Sequence, residues 1–237
     1  MSASGLAKKF YEQAAVKQIE GGFTVTLDGR SVKTPGKLDL LLPGEALARA
    51  IAEEWNAQGD HIKPSTMPCM QLACTAIERV ANHKETIIDQ VSGYGGSDLI
   101  CYFADTPDDL VLRQRAAWQP LRDWACDTFA IDMKMTSGIV YVEQSVETLA
   151  AIRAAVSTLD DYQLSVLCEL VQVTGSFVIG LAAFSGRLDA QAAFDASQVD
   201  ESWQIERWGE DDEARIRRET ILRDITAALR FLRLIAP

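Results

Sequence analysis

Histidine is scarce in this chain of 237 residues, which contains only His61 and His83. Neither stands at the helical spacing from a glutamate or a second histidine that a zinc pair requires. The distances along the chain from His61 to Cys69 and Cys74 match no standard metal motif. The sequence therefore predicts no metal site.

Basic residues are also few compared with acidic ones. The chain has 23 lysines and arginines against 34 aspartates and glutamates, a net charge of -11 and a pI near 4.7. Nucleic-acid binding depends on clustered basic side chains that displace condensed counterions, so this composition argues against a nucleic-acid partner. An acidic surface keeps a protein soluble, and attraction to a partner with a basic patch stays open.

Long apolar runs are missing as well. No stretch approaches the ~20 apolar residues that a membrane-spanning helix needs, and the most apolar one, residues 164–184, is interrupted by Glu169, Gln172 and several small polar residues and glycines. We expect a buried core helix there and no insertion into a membrane. The first residues are not followed by an apolar stretch of signal-peptide length, which predicts a cytoplasmic product, or an organellar one if a transit sequence has been removed.

The cysteines show no pairing pattern. They are odd in number and dispersed, which favours reduced thiols packed as small hydrophobic side chains. The five are Cys69, Cys74, Cys101, Cys126 and Cys168.

Motifs of catalysis and of cofactor binding are lacking too. Residues 93–97 (Gly-Tyr-Gly-Gly-Ser) have neither the Lys-Ser/Thr ending of a phosphate loop nor the glycine fingerprint of a dinucleotide site, and they indicate a flexible turn. Ser176 is preceded by Thr-Gly inside the apolar stretch, which is not a nucleophile elbow. The sequence predicts no catalytic residue and no cofactor.

Three acidic segments have different interpretations. Residues 105–109 and 210–213 each adjoin the start of a predicted helix, where carboxylates favour the positive end of the helix dipole. Asp200 and Glu201 differ because they lie within a predicted helix beside two tryptophans. They form either a solvated face with buried aromatics behind it or a protein-docking patch, since tryptophan is enriched at binding hot spots.

The sequence pattern changes from strands to helices near residue 45. Residues 16–42 alternate apolar and polar side chains between Gly-rich and Pro-Gly turns, which predicts a meander of four antiparallel strands. Helical spacing begins at Glu45, and the prolines at 64 and 68 indicate a linker. We therefore expect an α+β protein with a small antiparallel β-rich N-terminal domain at residues 1–64 and an all-helical orthogonal bundle at 65–237.

Two short segments interrupt the predicted helical region. Residues 99–103 fit a short strand or a buried helical turn. Residues 136–143 fit a lone strand or an extended segment that returns to the N-terminal domain. Longer helices are predicted at residues 159–183 and 189–208 and from 210 to 235.

Several short motifs, spread over nearly the whole chain, carry a resemblance to a known family. The pieces include Leu-Asp-Gly-Arg at 27–30, Glu-Trp-Asn-Ala-Gln at 54–58, Asp-Leu-Ile-Cys-Tyr at 98–102, Trp-Gln-Pro-Leu at 118–121 and Gln-Ile-Glu-Arg-Trp-Gly at 204–209. In order and spacing they resemble the mitochondrial and alpha-proteobacterial assembly chaperones that bind the alpha subunit of the F-type ATP synthase head.

The resemblance implies a function without catalysis. It implies a β-rich N-terminal domain, a helical bundle, no cofactor and a monomeric chaperone that covers the beta-facing surface of the unassembled alpha subunit until beta replaces it. A free apolar subunit face aggregates unless it is covered. Eukaryotic relatives of this kind are mitochondrial.

The resemblance also directs attention to particular residues. The acid ahead of the Gln-Ile-x-x-Trp-Gly motif corresponds to Asp200, or to Glu201 if the register slips by one. With it we expect Trp203, Glu206, Trp208 and Trp55 to bind the partner, although a core anchor of the first helix is the competing interpretation of Trp55.

Two other function classes remain as alternatives. A carboxylate-based enzyme would need acids such as Asp98, Asp200 and Glu201 in one cleft with pKa values pushed apart. An oligomerisation scaffold would pair the last helix with its copy through a stripe that includes Ile225 and Leu229.

Overall fold

The computed structural model describes residues 6–236 and has the α+β class predicted from the sequence. Strands β1 (Ala14–Ile19), β2 (Gly22–Leu27) and β3 (Arg30–Ser31) form an antiparallel sheet in that order. Ala14 pairs with Leu27 and Ile19 with Gly22. The tight turn between β2 and β3 places Asp28 and Gly29 at φ values of 47° and 83°, which suits the Asp-Gly pair of a hairpin turn.

The sheet has three strands where four were predicted, and its third strand is only two residues long. Beyond Ser31 the chain makes single bridges, Lys33 with Asp39 and Phe23 with Leu42. Pro35 and Pro43 interrupt this part of the sequence and lack the N–H group that a continuous ladder needs.

The first helices follow the sheet. Helix α1 (Glu45–Asn56) packs against β1 and β2 and buries Leu47 and Ile51 completely. Helix α2 (Pro68–Cys74) continues through a wide π-helical turn into α3 (Ala81–Gly93). The Glu54 carboxylate accepts hydrogen bonds from the backbone N–H groups of Cys69 and Met70 at 2.8 and 2.9 Å, which satisfies free donors at the start of α2.

Seven further α-helices follow α3 within the described residues 6–236. They are α4 (Asp108–Phe129), α5 (Val146–Ser157), α6 (Asp161–Thr174), α7 (Phe177–Phe184), α8 (Ala190–Ser197), α9 (Val199–Trp208) and α10 (Asp212–Ile235).

The predicted continuous helices at 159–183 and 189–208 were wrong, because each is two helices. Gly175 takes a φ of 69° between α6 and α7, a conformation that glycine adopts without the penalty of a side chain. Ser176 then caps α7 by accepting from the Ile179 N–H at 3.1 Å. The second break falls at Gln198, between α8 and α9.

A short parallel strand pair accompanies the helices. Residues 99–101 form a 3₁₀ turn, and β4 (Tyr102–Phe103) follows directly, so both interpretations of this segment hold in part. Strand β5 (Thr136–Ser137) pairs with β4. Residues 136–143 thus begin with a strand that pairs with β4 inside the helical region, and a return of the rest of this segment to the N-terminal domain stays a prediction.

The described chain divides into two compact units. One comprises the chain up to Lys84 together with Asp161–Ser165 and the last residues from Arg230, and the other comprises Glu85–Asp160 and Val166–Leu229. Residues 65–84 thus group with the sheet. As a boundary between independently folding domains, the division at 64/65 stays a prediction.

Between residues 6 and 236, every helix is too short or too polar to cross a membrane.

Candidate partner-binding site

Five of the six residues suggested by the sequence lie on α9, which packs against α4 in the second unit. Helix α4 begins after Pro107 and places Asp108 and Asp109 in its first turn, where carboxylates are favoured by the helix dipole. Four side chains of α9 then meet side chains of α4 at successive turns. The predicted patch is therefore part of a helix–helix contact.

Trp203 is the buried anchor of this contact. Its indole Nε1 donates to Asp109 Oδ2 at 2.9 Å, and only 7% of its surface is exposed. Arg207 also binds Asp109, and its guanidinium lies 3.8 Å from the centre of the Trp203 ring. The hydrogen bond from Trp203, followed by that from Arg207, lowers the pKa of Asp109.

Glu206 is occupied by an arginine of α4. The Arg113 guanidinium donates to both carboxylate oxygens, at 2.7 and 2.6 Å. This bidentate hydrogen bonding lowers the pKa of Glu206 and raises that of Arg113. Both side chains stay about half exposed, so the pair fixes orientation and contributes little stability.

The two candidate acids, Asp200 and Glu201, have different surroundings. Asp200 Oδ1 accepts from Gln114 Nε2 at 2.7 Å, and the buried Gln114 in turn accepts from the Ala104 N–H at 2.8 Å. Glu201 is half-buried and makes no hydrogen bond or ion pair within residues 6–236. Asp200 thus has a structural partner, whereas the Glu201 carboxylate is available to another molecule.

Trp208 is the most exposed tryptophan among the six residues. It ends α9 with 72% of its surface exposed, and its ring meets that of Trp203 edge to face at 5.5 Å. Gly209 follows with a φ of 86° and ends the helix. A large aromatic side chain held at one edge and otherwise free is a suitable anchor for a protein partner.

Trp55 belongs to the first unit. Its ring packs edge to face against Tyr11 at 5.5 Å, and the Tyr11 hydroxyl donates to the Trp55 carbonyl oxygen at 2.6 Å. Its indole nitrogen is buried and has no hydrogen-bond partner in the part of the chain that the structure describes. A groove of about 450 Å³ lies beside it, lined by Phe10, Arg30 and Lys33 among others.

The arrangement of Asp98 disfavours a carboxylate enzyme. Asp98 is fully buried and accepts from the Ser176 hydroxyl at 2.6 Å and from the N–H groups of Val178 and Ile100 at 3.1 and 3.2 Å. Burial raises its pKa, and the carboxylate lies against the start of α7 with no exposed surface. The described residues contain no group of three or more histidines, cysteines or acids that could hold a metal ion.

The residues on α4 were missed by the sequence reasoning. Asp109 and Arg113 are four apart, which places them on one helix face, and this face meets Trp203, Glu206 and Arg207 in the structure. The spacing alone does not identify the partner helix, because about 90 residues separate the two sides.

Comparison with known proteins gives a consistent result. The model of a family described as ATP12 chaperone protein matches residues 8–126. A mitochondrial protein named atp12 from Schizosaccharomyces pombe is 25% identical over 219 residues, which cover 87% of this chain and 75% of that one.

Solved structures are similar over nearly the full chain. Atp12 from Paracoccus denitrificans is 41% identical with a TM-score of 0.92, covering 97% of this chain and 99% of that chain. A variant of that protein with one aspartate replaced by lysine gives 40% and 0.91, with 97% and 98% covered. An Agrobacterium tumefaciens protein provisionally described as a chaperone is 35% identical with a TM-score of 0.93, over 98% of this chain and 87% of that chain.

Proposed function

Because this chain belongs to the ATP12 chaperone protein family, we propose that it assists assembly of the F-type ATP synthase by binding the unassembled alpha subunit. It holds the subunit until the beta subunit takes its place, without catalytic turnover. It works as a cytoplasmic monomer, whereas its Schizosaccharomyces pombe relative is named as mitochondrial.

The observation that supports binding most directly is the exposed end of α9. Trp208 is largely free while Trp203 and the Arg113–Glu206 pair hold the helix in place. A rigid support beneath an exposed aromatic side chain lowers the entropy lost on binding. Glu201 lies seven residues before Trp208 and therefore on the same face of α9, two turns away. Its unpaired carboxylate gives the patch a charge for a basic partner surface.

The physical need for such a chaperone comes from the client. A subunit that is built to contact a neighbour exposes apolar surface before assembly, and such surface aggregates at cellular concentrations. A chaperone that covers this surface, and that binds it less tightly than the proper neighbour does, prevents aggregation without blocking assembly. Release then follows from competition, and no energy source is required.

A retention assay with separated subunits tests the proposal. The immobilised chain is expected to retain isolated alpha subunit, to retain no beta subunit, and to lose alpha when beta is added in excess. Trp208→Ala should weaken retention, because truncation of a hot-spot tryptophan removes ≥ ~2 kcal/mol of binding free energy. Leu38→Ala, which shortens an exposed apolar side chain of the first unit, is the matched control. Retention of beta alone, or of neither subunit, would reject alpha as the partner.

A further inference from the structure

A second exposed surface lies in the same unit, directly after β5. Ile139, Val140 and Tyr141 are 100%, 68% and 64% exposed. Three consecutive large apolar residues with this exposure are unusual on a soluble protein and mark sites of interaction. The tryptophan patch on α9 does not include them.

The backbone of this segment is as available as its side chains. The last main-chain hydrogen bond of the strand pair runs from the Gly138 N–H to the Phe103 carbonyl at 2.8 Å. Residues 139–142 make no main-chain hydrogen bond to any part of the chain that the structure describes. Their N–H and C=O groups can therefore pair with the main chain of a bound peptide.

A groove adjoins this segment at the strand pair. Its volume is about 620 Å³, and its lining combines apolar and polar side chains. The lining residues are Phe103, Arg115, Gln119, Met135, Thr136 and Ser137. Met135 is about half exposed, so it contributes exposed apolar surface to the groove.

Arg115 gives the groove a charge. Several arginines of this unit pair with carboxylates, as Arg113 does with Glu206 and Arg153 with Glu85 and Asp89, although not all of them do. Arg115 has no acidic partner within residues 6–236, although the chain carries 34 acidic residues. A guanidinium left unpaired in a groove of an acidic protein is complementary to a carboxylate supplied by another molecule.

We propose that the groove and residues 139–141 form a client-binding site for an apolar peptide segment that carries an aspartate or glutamate. The apolar side chains of the client pack on Met135, Ile139 and Tyr141, and its carboxylate binds Arg115. The identity of the client, the alpha subunit, rests on the proposed function. The groove adds a second contact surface, which binds an acidic residue of the client, whereas the α9 patch suits a basic surface.

Photo-crosslinking tests where the client lies. The full chain carrying a photoreactive phenylalanine analogue in place of Tyr141 is mixed with isolated alpha subunit, irradiated and digested, and the crosslinked peptide is identified by mass spectrometry. We expect one alpha-subunit segment, apolar and with an acidic residue. The same analogue in place of Ile216, an exposed apolar residue of α10, is the control and should give a different segment or none.

Charge reversal tests the role of Arg115. Arg115→Glu should weaken binding of the alpha subunit by roughly tenfold, whereas Arg217→Glu, a reversal at an exposed arginine of α10, should leave it near the wild-type value. Replacement of the crosslinked segment's acid by lysine in the alpha subunit should restore binding to the Arg115→Glu chain.

The outcomes separate the two proposals. If the wild-type chain binds alpha but Arg115→Glu matches Arg217→Glu and Tyr141 gives no crosslink, the groove is not a client site and the proposed function stands. If the wild-type chain does not bind alpha, the proposed function fails, and so does this site as a site for alpha. If the alpha subunit that carries lysine in place of this acid does not restore binding to the Arg115→Glu chain, the pairing of Arg115 with a client carboxylate is rejected, and the rest of the site is not.

Discussion

At the scale of single residues, the buried Asp98 carboxylate shows how one side chain can connect distant parts of the chain. It accepts from Ser176, Val178 and Ile100, which joins the 3₁₀ turn before β4 to the start of α7. Burial opposes its charge and raises its pKa, while three donors offset part of that cost.

Asp98→Asn is expected to lower the free energy of unfolding by about 1–3 kcal/mol, because an amide cannot accept from all three donors and leaves one of them unsatisfied. The raised pKa means that the wild-type group stabilises the fold fully below its ordinary value of 3.8 and loses this contribution as the pH rises through the raised value. The stability difference between wild type and variant should therefore shrink from mildly acidic to neutral pH. Urea unfolding of both proteins at mildly acidic and at neutral pH measures this difference in the free energy of unfolding. A difference that grows with pH would contradict a raised pKa for Asp98.

The thiols give a second test of burial at single residues. Burial raises the pKa of Cys69 and Cys101 to about 12 and that of Cys74 to about 11, whereas Cys126 is exposed. Because the thiolate is the reactive form, Cys126 should react first with a thiol-specific reagent in the folded protein. Cys126→Ser should remove this fast phase, and a fast phase that persists in the variant would show that a buried thiol is accessible.

The sequence alone could not assign these roles. Asp98 was a candidate acid for catalysis because a carboxylate can act as a general acid or base. Its structural role depends on Ser176, which is 78 residues away, and no local pattern reveals such a contact. The prediction for the cysteines was confirmed for Cys69, Cys101 and Cys168, which are buried, and was wrong for Cys126, which is exposed.

At the scale of elements, the contact between α9 and α4 distinguishes the two candidate acids, Asp200 and Glu201. Asp200 contributes to the contact through Gln114, and Glu201 does not. A variant that changes both residues would therefore mix a structural effect with a binding effect. Single variants separate the two.

Glu201→Lys is expected to leave the free energy of unfolding within about 0.5 kcal/mol of wild type, as for other surface substitutions, and to weaken alpha-subunit binding. Asp200→Lys should destabilise the fold by about 1 kcal/mol, because it removes the acceptor of the buried Gln114 amide. Chemical unfolding and alpha-subunit retention are measured for each variant. If Glu201→Lys binds like wild type while Asp200→Lys binds weakly at unchanged stability, the functional acid is Asp200.

Helices and strands were predictable to different degrees. The change from strands to helices near Glu45 follows from periodicity, and the structure places α1 at that residue. The break at Gly175 was missed because the stretch around it is largely apolar, so the helix-end signal is confined to the short Thr-Gly-Ser segment at 174–176. Parallel pairing of β4 with β5 was equally hidden, since the two strands of two residues each are 34 positions apart.

At the scale of the whole molecule, an acidic surface coexists with an exposed apolar segment. The net charge of -11 opposes the association of copies of the chain. Such repulsion offsets part of the tendency to self-associate that the exposed Ile139, Val140 and Tyr141 would cause. The buried Ile225 on α10 further disfavours self-pairing through the last helix, because the middle of that stripe is covered within the chain.

Replacement of Ile139, Val140 and Tyr141 by serine together should leave the fold unchanged, because these side chains are solvent-exposed and add little to the core. The triple variant should bind less of a fluorescent apolar dye than wild type and should suppress aggregation of isolated alpha subunit less well. Serine at Leu112, Val146 and Ile216, which are also exposed in the second unit, gives a comparison of similar apolar area. If both variants lose aggregation suppression equally, apolar area alone matters. If the loss is confined to the first variant, residues 139–141 are the part of this chain that binds the aggregation-prone surface of the client. A triple variant that unfolds at lower urea concentration than wild type would instead show that the segment supports the fold.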